Sequence, residues 1–163
     1  MDALTALRTR RSIRRYQDRA VAREDLERLV DCARLAATAC NEQPWEFVVV
    51  TDAATRATLA AICEYGKFFT QAAAVIVVLC RDTPYYLEDG AAATQNLLVA
   101  AAALGLGTCW VAGDKKPYAD EVRALLGAPE GYRVVSHVAV GYAAETPAPD
   151  KRPLRDVLHW ERY

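Results

Sequence analysis

Hydrophobic residues recur along this chain at two different spacings, and together they predict a protein built from helices and strands. The helical spacing is clearest at Leu26, Leu29, Val30 and Ala33, which lie three or four residues apart with charged side chains between them. This pattern predicts an amphipathic helix over 22–37. Weaker helical patterns predict further helices at 2–9, 53–63, 88–104 and 117–126.

Runs of β-branched and aliphatic residues predict the strands, because such side chains suit the buried surface of a sheet. The predicted strands lie at 47–50, 74–79, 107–111 and 133–140. The helix over 88–104 is apolar on every side apart from Thr94, Gln95 and Asn96. Because a helix of this kind needs cover all round, it belongs in a core or an interface. The pattern therefore predicts an α+β protein with a buried central helix.

Composition excludes several classes of protein. The chain has 163 residues, of which 53% are hydrophobic and 25% charged, and its formal net charge is −1. These values predict one folded domain over 1–163 and exclude a disordered chain. The charge balance gives no general attraction to nucleic acid, and no apolar run approaches the ~20 residues of a membrane span. The first residues lack a signal-peptide pattern, so we expect a cytoplasmic protein.

The cysteines and histidines argue against two further kinds of site. The five cysteines form no C-x-x-C pair and are odd in number, which favours reduced thiols over a disulfide framework. His137 and His159 are the only imidazoles, so we expect no zinc site.

The segment Arg8–Tyr16 contains five arginines and a serine. Guanidinium groups donate bidentate hydrogen bonds to phosphate oxygens, so this segment suits a phosphate group. On composition alone, a solvated basic turn is the favoured interpretation. A nucleic-acid-binding arm is a third and weaker one, because no interleaved aromatic residues or second basic patch accompany the arginines. A second pair of cations, Lys151 and Arg152, is by itself typical of a charged tail.

Two other segments place polar or glycine-rich loops beside buried strands. The loop over 38–47 contains Asn41, Gln43 and Trp45, which suit a planar hydrogen-bonding ligand, with turn residues and a core tryptophan as the alternative. The glycines over 104–113 do not match G-x-G-x-x-G before a helix, so no Rossmann phosphate loop is predicted. They allow the backbone to approach a ligand closely, where free N–H groups can donate to it.

In their order and spacing, these four segments resemble the nitroreductase family of FMN-dependent NAD(P)H oxidoreductases. The resemblance covers nearly the whole chain, from Arg10-Arg11-Ser12-x-Arg14-x-Tyr16 to Lys151-Arg152-Pro153-Leu154. It implies a nitroreductase-like α+β fold, in which helices flank a central mixed or antiparallel sheet and the buried helix lies at a homodimer interface. It also implies that FMN binds at that interface.

The resemblance implies a role for each basic residue of the motifs. Arg10 meets the FMN phosphate with Ser12 nearby, and Arg14 lies toward the pyrimidine edge of the flavin. Lys151 and Arg152 resemble the C-terminal cations that return to the same phosphate. A phosphate held between two such groups is a charge-assisted arrangement.

Two loops complete the implied site. The loop over 38–41 resembles the one that reaches the flavin from the other subunit, and the segment over 110–113 resembles the one whose backbone N–H faces flavin N5. The full set of residues that the resemblance assigns to FMN is Arg10, Arg11, Ser12, Arg14, Thr38, Ala39, Asn41, Lys67, Trp110, Val111, Ala112, Gly113, Lys151 and Arg152.

The chain departs from the family pattern around the implied substrate pocket. Cys40 stands where a small polar residue is common, which directs a thiol toward the pocket. Lys67 lies where many members place Asn and Lys contacts to the flavin, and we expect it to substitute for them. Longer members insert a helical excursion after the second buried strand, whereas only 81–87 bridges the gap here. We therefore expect a more open flavin face, walled by Tyr85 or Tyr86.

The implied function is a ping-pong oxidoreductase, in which NADH or NADPH passes a hydride to flavin N5 and an electron-poor acceptor then takes it. Nitroaromatics and quinones are the expected acceptors. Because the flavin supplies the chemistry, no acid–base pair of the protein is required. The alternatives are other flavin chemistry on the same fold, such as reductive dehalogenation or oxygen-dependent flavin fragmentation, and a non-catalytic flavin-holding protein.

Overall fold

The computed structural model describes residues 1–163. Its helices are α1 (Ala3–Thr9), α2 (Arg23–Ala33), α3 (Ala53–Ile62), α4 (Tyr86–Ala103) and α5 (Ala119–Leu125). Its strands are β1 (Trp45–Val50), β2 (Ala74–Arg81), β3 (Gly107–Ala112) and β4 (Tyr132–Gly141). Short 3₁₀ helices that the sequence pattern did not predict occur at Ala39–Asn41, Lys67–Thr70 and Leu154–Asp156. None of the helices has the length and apolar character needed to cross a membrane.

The four strands form one sheet in the order β1-β2-β4-β3, and every neighbouring pair is antiparallel. The predicted α+β class is confirmed, and of the two expected sheet types the antiparallel one is present. The central strands β2 and β4 are buried along almost their whole length, which accounts for their unbroken apolar runs. The edge strands β1 and β3 each leave one row of backbone groups outside the sheet.

Helices cover both faces of the sheet, and each face has its own core. On one face, α2 and α4 pack Leu29 and Leu97 against β2 and β4. On the other face, α3, α5 and the 3₁₀ helix at Lys67–Thr70 contribute Leu59, Val122 and Phe69. The strand β3 is an edge strand of the sheet, and the segment before α2 runs beside it.

The helix α2 is the one predicted element whose end was clearly wrong. It ends at Ala33 rather than at residue 37, because the Cys32 carbonyl accepts hydrogen bonds from the Leu35 N–H at 3.4 Å and from Asn96 Nδ2 at 3.2 Å. Asn96 lies on α4, far away in the sequence, so helical periodicity carries no sign of this contact. Every other predicted element is present with its ends within two residues of the prediction.

The central helix α4 is buried on one side within the chain and half-buried on the other. Ala93, Leu97 and Ala101 are fully enclosed. Thr94 enters the same core, where its hydroxyl lies 2.7 Å from the Gly90 carbonyl and 2.8 Å from Ser136 Oγ. The expectation of a buried central helix is thus confirmed for one face, and the second face keeps apolar surface exposed.

Candidate functional site

The arginine segment runs along the outer edge of β3. The Ile13 N–H donates to the Thr108 carbonyl at 2.8 Å, and Ser12 forms a parallel bridge with Thr108. Tyr16 makes a second, antiparallel bridge with Ala143 beyond β4. These contacts fix the backbone of the segment, so that its charged side chains project beside the sheet edge.

A carboxylate holds the middle of the same segment. Glu145 Oε1 accepts hydrogen bonds from the backbone N–H groups of Arg14 at 2.5 Å and Arg15 at 3.1 Å. The buried Tyr16 hydroxyl donates to the Ile13 carbonyl at 2.6 Å, and burial raises the pKa of Tyr16 so that it stays a donor. These bonds involve the backbone N–H groups of the segment and not its side chains. The guanidinium groups of Arg10 and Arg14 therefore remain free for a ligand.

Five of the predicted site residues surround one cavity of about 550 Å³ beside the C-terminal tail. They are Arg10, Arg11, Ser12, Arg14 and Lys151. Nε of Arg10 is buried there without a hydrogen-bond acceptor, whereas a buried donor is normally paired. Four cations around one cavity, one of them with an unused buried donor, fit a phosphate group.

Arg152 lies outside this cavity. Its Nη2 donates to the Asp156 carbonyl at 2.6 Å, so within one chain it closes a turn of the tail. Arg11 takes part in the cavity but also donates to the carbonyls of Arg8 and Arg10. Arg10, Arg14 and Lys151 are therefore the cations of this cavity whose side chains make no hydrogen bond within the chain.

A second cavity, of about 450 Å³, adjoins the first through Arg14. Its wall includes Lys67, Trp110, Val111 and Ala112 from the predicted site, together with further residues that the sequence did not single out. These are Glu64, Tyr65, Phe68, Cys109 and Lys116. The structure thus brings the arginine segment and the β3 segment together around two neighbouring cavities that share Arg14.

The edge of β3 presents a defined set of donors to this cavity. Backbone groups of successive residues in a strand point alternately to either side. The Thr108 carbonyl points outward to Ile13, and the Gly113 N–H points inward to the Val135 carbonyl at 3.0 Å. The alternation therefore directs the N–H groups of Trp110 and Ala112 outward, and it leaves the Gly113 N–H unavailable to a ligand.

Two lysines line the second cavity, and they differ in what they bind. Nζ of Lys67 donates to the carbonyls of Ala60 and Ala61 at 3.1 and 3.2 Å, where its charge stabilises the C-terminal end of α3. Lys116 Nζ lies 5.5 Å from the centre of the Tyr65 ring and donates no hydrogen bond within the chain. Of the two, Lys116 is the more available to a bound ligand, and only its position after Gly113 marks it in the sequence.

Cys109 lies in the wall of this cavity as a protonated thiol. It is 2% exposed, and burial raises its pKa, although Arg14 and Ser12 act in the opposite direction. A thiol with a raised pKa is a poor nucleophile at neutral pH. Cys109 is therefore a packing residue of the wall.

The Thr38–Asn41 loop lies elsewhere in the chain, where it forms a strained turn. Cys40, Asn41 and Gln43 have φ values of 52°, 56° and 48°, and the left-handed region costs a residue with a side chain about 1–2 kcal/mol. The Gln43 N–H donates to Thr38 Oγ1 at 3.3 Å, and the Ala39 N–H donates to Asp89 Oδ1 at 3.0 Å. Non-glycine strain of this kind concentrates at functional sites.

A small cavity of about 80 Å³ lies against this turn. Cys40 and Tyr85, two of the three residues predicted for the substrate pocket, both line it. Tyr86 does not: its hydroxyl donates to Asp114 Oδ1 at 2.6 Å, and this bond raises the pKa of Tyr86 to about 12. Tyr86 therefore holds the turn that follows Gly113, and its place in the wall of the substrate pocket stays a prediction.

Comparison with known proteins gives the same family as the sequence motifs. The model of the nitroreductase family matches residues 7–83 and 63–142, which together make up most of the chain. The chain belongs to the nitroreductase family. A nitroreductase relative in Archaeoglobus fulgidus, described as an NADH dehydrogenase/NAD(P)H nitroreductase, is 37% identical over 173 residues that cover 99% of each chain.

Solved nitroreductase structures share the fold over the whole length of the chain. An NADH dehydrogenase/NAD(P)H nitroreductase from Bacteroides thetaiotaomicron matches with a TM-score of 0.92 and 32% identity, covering 99% of this chain and 98% of its own. A nitroreductase from Desulfovibrio desulfuricans, solved in complex with FMN, matches with a TM-score of 0.85 and 30% identity, covering 100% and 98%. The predicted nitroreductase-like fold is confirmed.

Proposed function

We propose that the protein is an FMN-dependent oxidoreductase that transfers a hydride from NADH or NADPH to an electron-poor acceptor such as a nitroaromatic or a quinone. The observation that carries the proposal is a cation cluster that includes Arg10, with its unpaired buried Nε, around a cavity that shares Arg14 with a second cavity at the edge of β3. Relatives named for NAD(P)H nitroreductase activity and a related structure holding FMN support it.

The residues present fit FMN in two parts. Arg10, Arg11, Ser12 and Lys151 would bind the phosphate, because guanidinium and ammonium donors match its oxygens. The outward N–H groups of Trp110 and Ala112 would meet the ring at the edge of β3, and Arg14 would lie between the two parts. This arrangement extends the sequence prediction by naming which of the backbone donors over 110–113 are available.

When bound, FMN would supply the redox chemistry by accepting a hydride from one substrate and passing it to the next in a ping-pong cycle. The residues of the chain bind and orient. Fixed N–H donors at the β3 edge and the cation of Arg14 favour negative charge on a bound ring, and they need no reorganisation when that charge develops. None of the roles requires a side chain to give up a proton.

We further propose that the active form is a homodimer, in which each Thr38–Asn41 turn reaches the partner's flavin. Within one chain, this turn lines a cavity that shares no residue with the two cavities of the arginine segment. The tail over 151–163 is exposed throughout, with Trp160 at 78%. A groove of about 710 Å³ between α2 and the edge of β1 exposes Val21, Phe47 and Val49, and it offers such a tail an apolar surface.

The state of the cysteine thiols bears on where the protein works. All five cysteines are free, which suits a reducing compartment. We therefore propose that this one-domain protein works in the cytoplasm.

The first experiment is the visible spectrum of the purified protein, followed by identification of any chromophore that acid releases. About one FMN per chain, bleached by NADH or NADPH under anaerobic conditions and reoxidised by a quinone, is the expected result. A protein that stays colourless after incubation with excess FMN contradicts the proposal. A yellow protein that neither pyridine nucleotide bleaches would instead be a flavin-holding protein.

A further inference from the structure

Two residues that line the small cavity beside the strained turn have buried polar atoms without a hydrogen-bond partner in the chain. Asp89, on the first turns of α4, is 4% exposed, and its Oδ1 accepts from the Ala39 N–H at 3.0 Å. Its Oδ2 is buried and accepts no hydrogen bond. Thr83 Oγ1 is also buried and has no hydrogen-bond partner. Both residues line the cavity of about 80 Å³. A buried carboxylate oxygen without a donor is unfavourable, so this site is built for an occupant.

The chemistry of the cavity restricts what that occupant is. Asp89 Oδ2 can only accept a hydrogen bond, whereas the Thr83 hydroxyl can donate one. Glu42 adds a second carboxylate to the wall, and no lysine or arginine lines the cavity, so it disfavours anions. Its volume of about 80 Å³ leaves room for a small polar group. A neutral group with an N–H donor beside a carbonyl acceptor meets all of these conditions.

We propose that this cavity is a subsite for a primary carboxamide, the group that the nicotinamide ring of NADH and NADPH carries. Asp89 Oδ2 accepts from the carboxamide NH₂, and the Thr83 hydroxyl donates to its carbonyl. The ring itself stays outside, next to Cys40 and Tyr85. This assignment rests on the proposed function, because the strained turn that bounds the cavity is the segment proposed to reach the partner's flavin.

Asp89 thereby has two separable roles, one for each oxygen. Oδ1 positions the strained turn through Ala39, and Oδ2 selects the ligand. Asp89→Asn separates them, because the amide oxygen still accepts from the Ala39 N–H while an NH₂ group replaces Oδ2 and opposes the donor of the carboxamide. Asp89→Ala removes both. Asp18→Asn removes an exposed carboxylate that lines none of the cavities described above and is the charge-matched control.

The test uses FMN-loaded protein and compares the two substrates of the cycle. We expect Asp89→Asn to raise the KM for NADH at least about tenfold, the scale of one lost hydrogen bond to a charged group. The KM for 1,4-benzoquinone, which has no N–H group, and the FMN content should match those of the wild type and of Asp18→Asn. Thr83→Val should raise the KM for NADH in the same direction by a smaller factor.

Direct binding gives a second readout that does not depend on turnover. The wild-type holoprotein should bind nicotinamide more tightly than nicotinic acid, whose carboxylate meets Asp89 and Glu42, and Asp89→Asn should reduce or reverse this preference. An unchanged KM for NADH together with an unchanged preference overturns the subsite and leaves the cavity to ordered water. If the wild type oxidises neither NADH nor NADPH, the proposed function fails, and the nicotinamide comparison still decides the role of Asp89.

Discussion

At the scale of single residues, the unpaired buried nitrogen of Arg10 is the strongest sign of a ligand in the arginine segment. Arg11 donates to two backbone carbonyls, and Glu145 occupies the backbone of Arg14 and Arg15. The Arg10 Nε has no such partner. Since the sequence offers five arginines of equal appearance in this segment, only the structure shows which of them has a buried nitrogen without a partner.

Arg10→Ala should weaken FMN binding by at least about 1.5 kcal/mol, the lower end of the range for a hydrogen bond to a charged group. Titration of the apoprotein with FMN, followed by flavin fluorescence, measures the change. Arg8→Ala is the matched control, because Arg8 is exposed and lines neither of the two cavities. Equal affinities in the two variants would remove Arg10 from the phosphate site.

His137 makes a second residue-level prediction, which concerns stability. Burial lowers the pKa of His137 from 6.5 to about 4, so the unfolded chain binds a proton more readily than the folded chain over this interval. The contribution of His137 therefore leaves the free energy of unfolding at its full value above pH 6.5 and lowers it as the pH falls toward 4. The loss should approach about 3 kcal/mol, because each pKa unit corresponds to about 1.4 kcal/mol.

Urea unfolding at several pH values measures this dependence. Carboxyl groups titrate in the same range, so the informative quantity is the difference between the wild type and His137→Gln, which should have a shallower fall in free energy of unfolding between pH 6.5 and 4. His159 lies in the exposed tail, and His159→Gln should keep the wild-type dependence. The same slope in all three proteins would contradict the buried neutral imidazole.

Residue chemistry was predictable from the sequence only where the residue type itself is informative. The arginines over 8–15 suit a phosphate by their chemistry, but composition alone favoured a solvated basic turn, and the phosphate role came from the family resemblance. Asp89 was not recognised, because a single acidic residue near a helix start is common. Its importance comes from burial and from the Ala39 N–H, both of which depend on the packed structure. That Tyr85 or Tyr86 walls the flavin face stays a prediction, and the bond of Tyr86 with Asp114 is a contact that the sequence pattern did not indicate.

At the scale of elements, the core of each helix and strand followed from local pattern, whereas the ends and the sharp turns did not. The clearest example is α2, whose end is set by Asn96 of α4. The turn at 38–41 has left-handed residues without a glycine, so no glycine or asparagine-glycine signal marked its shape. The site depends on this turn and on the edge of β3, which are the parts that sequence pattern describes least.

Gly90 tests the packing of α4 against the sheet. A Cβ at this position would lie 2.7 Å from Val135 Cγ2 and 2.9 Å from Cys80 Sγ, too close for either neighbour. Gly90→Ala should therefore lower the free energy of unfolding by about 1–3 kcal/mol, although alanine favours a helix by about 1 kcal/mol relative to glycine. The urea midpoint measures the change. Glu88→Ala, on the exposed side of the same helix, should leave the midpoint nearly unchanged, and a stabilised Gly90→Ala would refute the close packing.

At the scale of the whole molecule, the exposed apolar surfaces argue for a second copy of the chain. The tail exposes Leu154, Val157, Leu158 and Trp160, and the half-buried face of α4 adds more. Ala101, which the sequence places on an apolar helix suited to an interface, is 0% exposed within the chain. A charge at Ala101 would disrupt the fold itself, so substitutions in the tail are the better test of assembly.

The double substitution Leu158→Asp and Trp160→Ser should weaken the dimer at least about tenfold, since burying one large apolar side chain contributes about 1.5–3 kcal/mol. Analytical ultracentrifugation over a dilution series measures the dissociation, and the flavin spectrum of each sample gives the FMN content. Arg162→Ser, in the same tail, should leave both unchanged. Because the proposed site takes residues from two chains, FMN should be released in step with dissociation. A monomer that keeps one FMN per chain would show that the arginine segment and the β3 edge suffice, and the proposed contribution of the Thr38–Asn41 turn to the partner's site would be wrong.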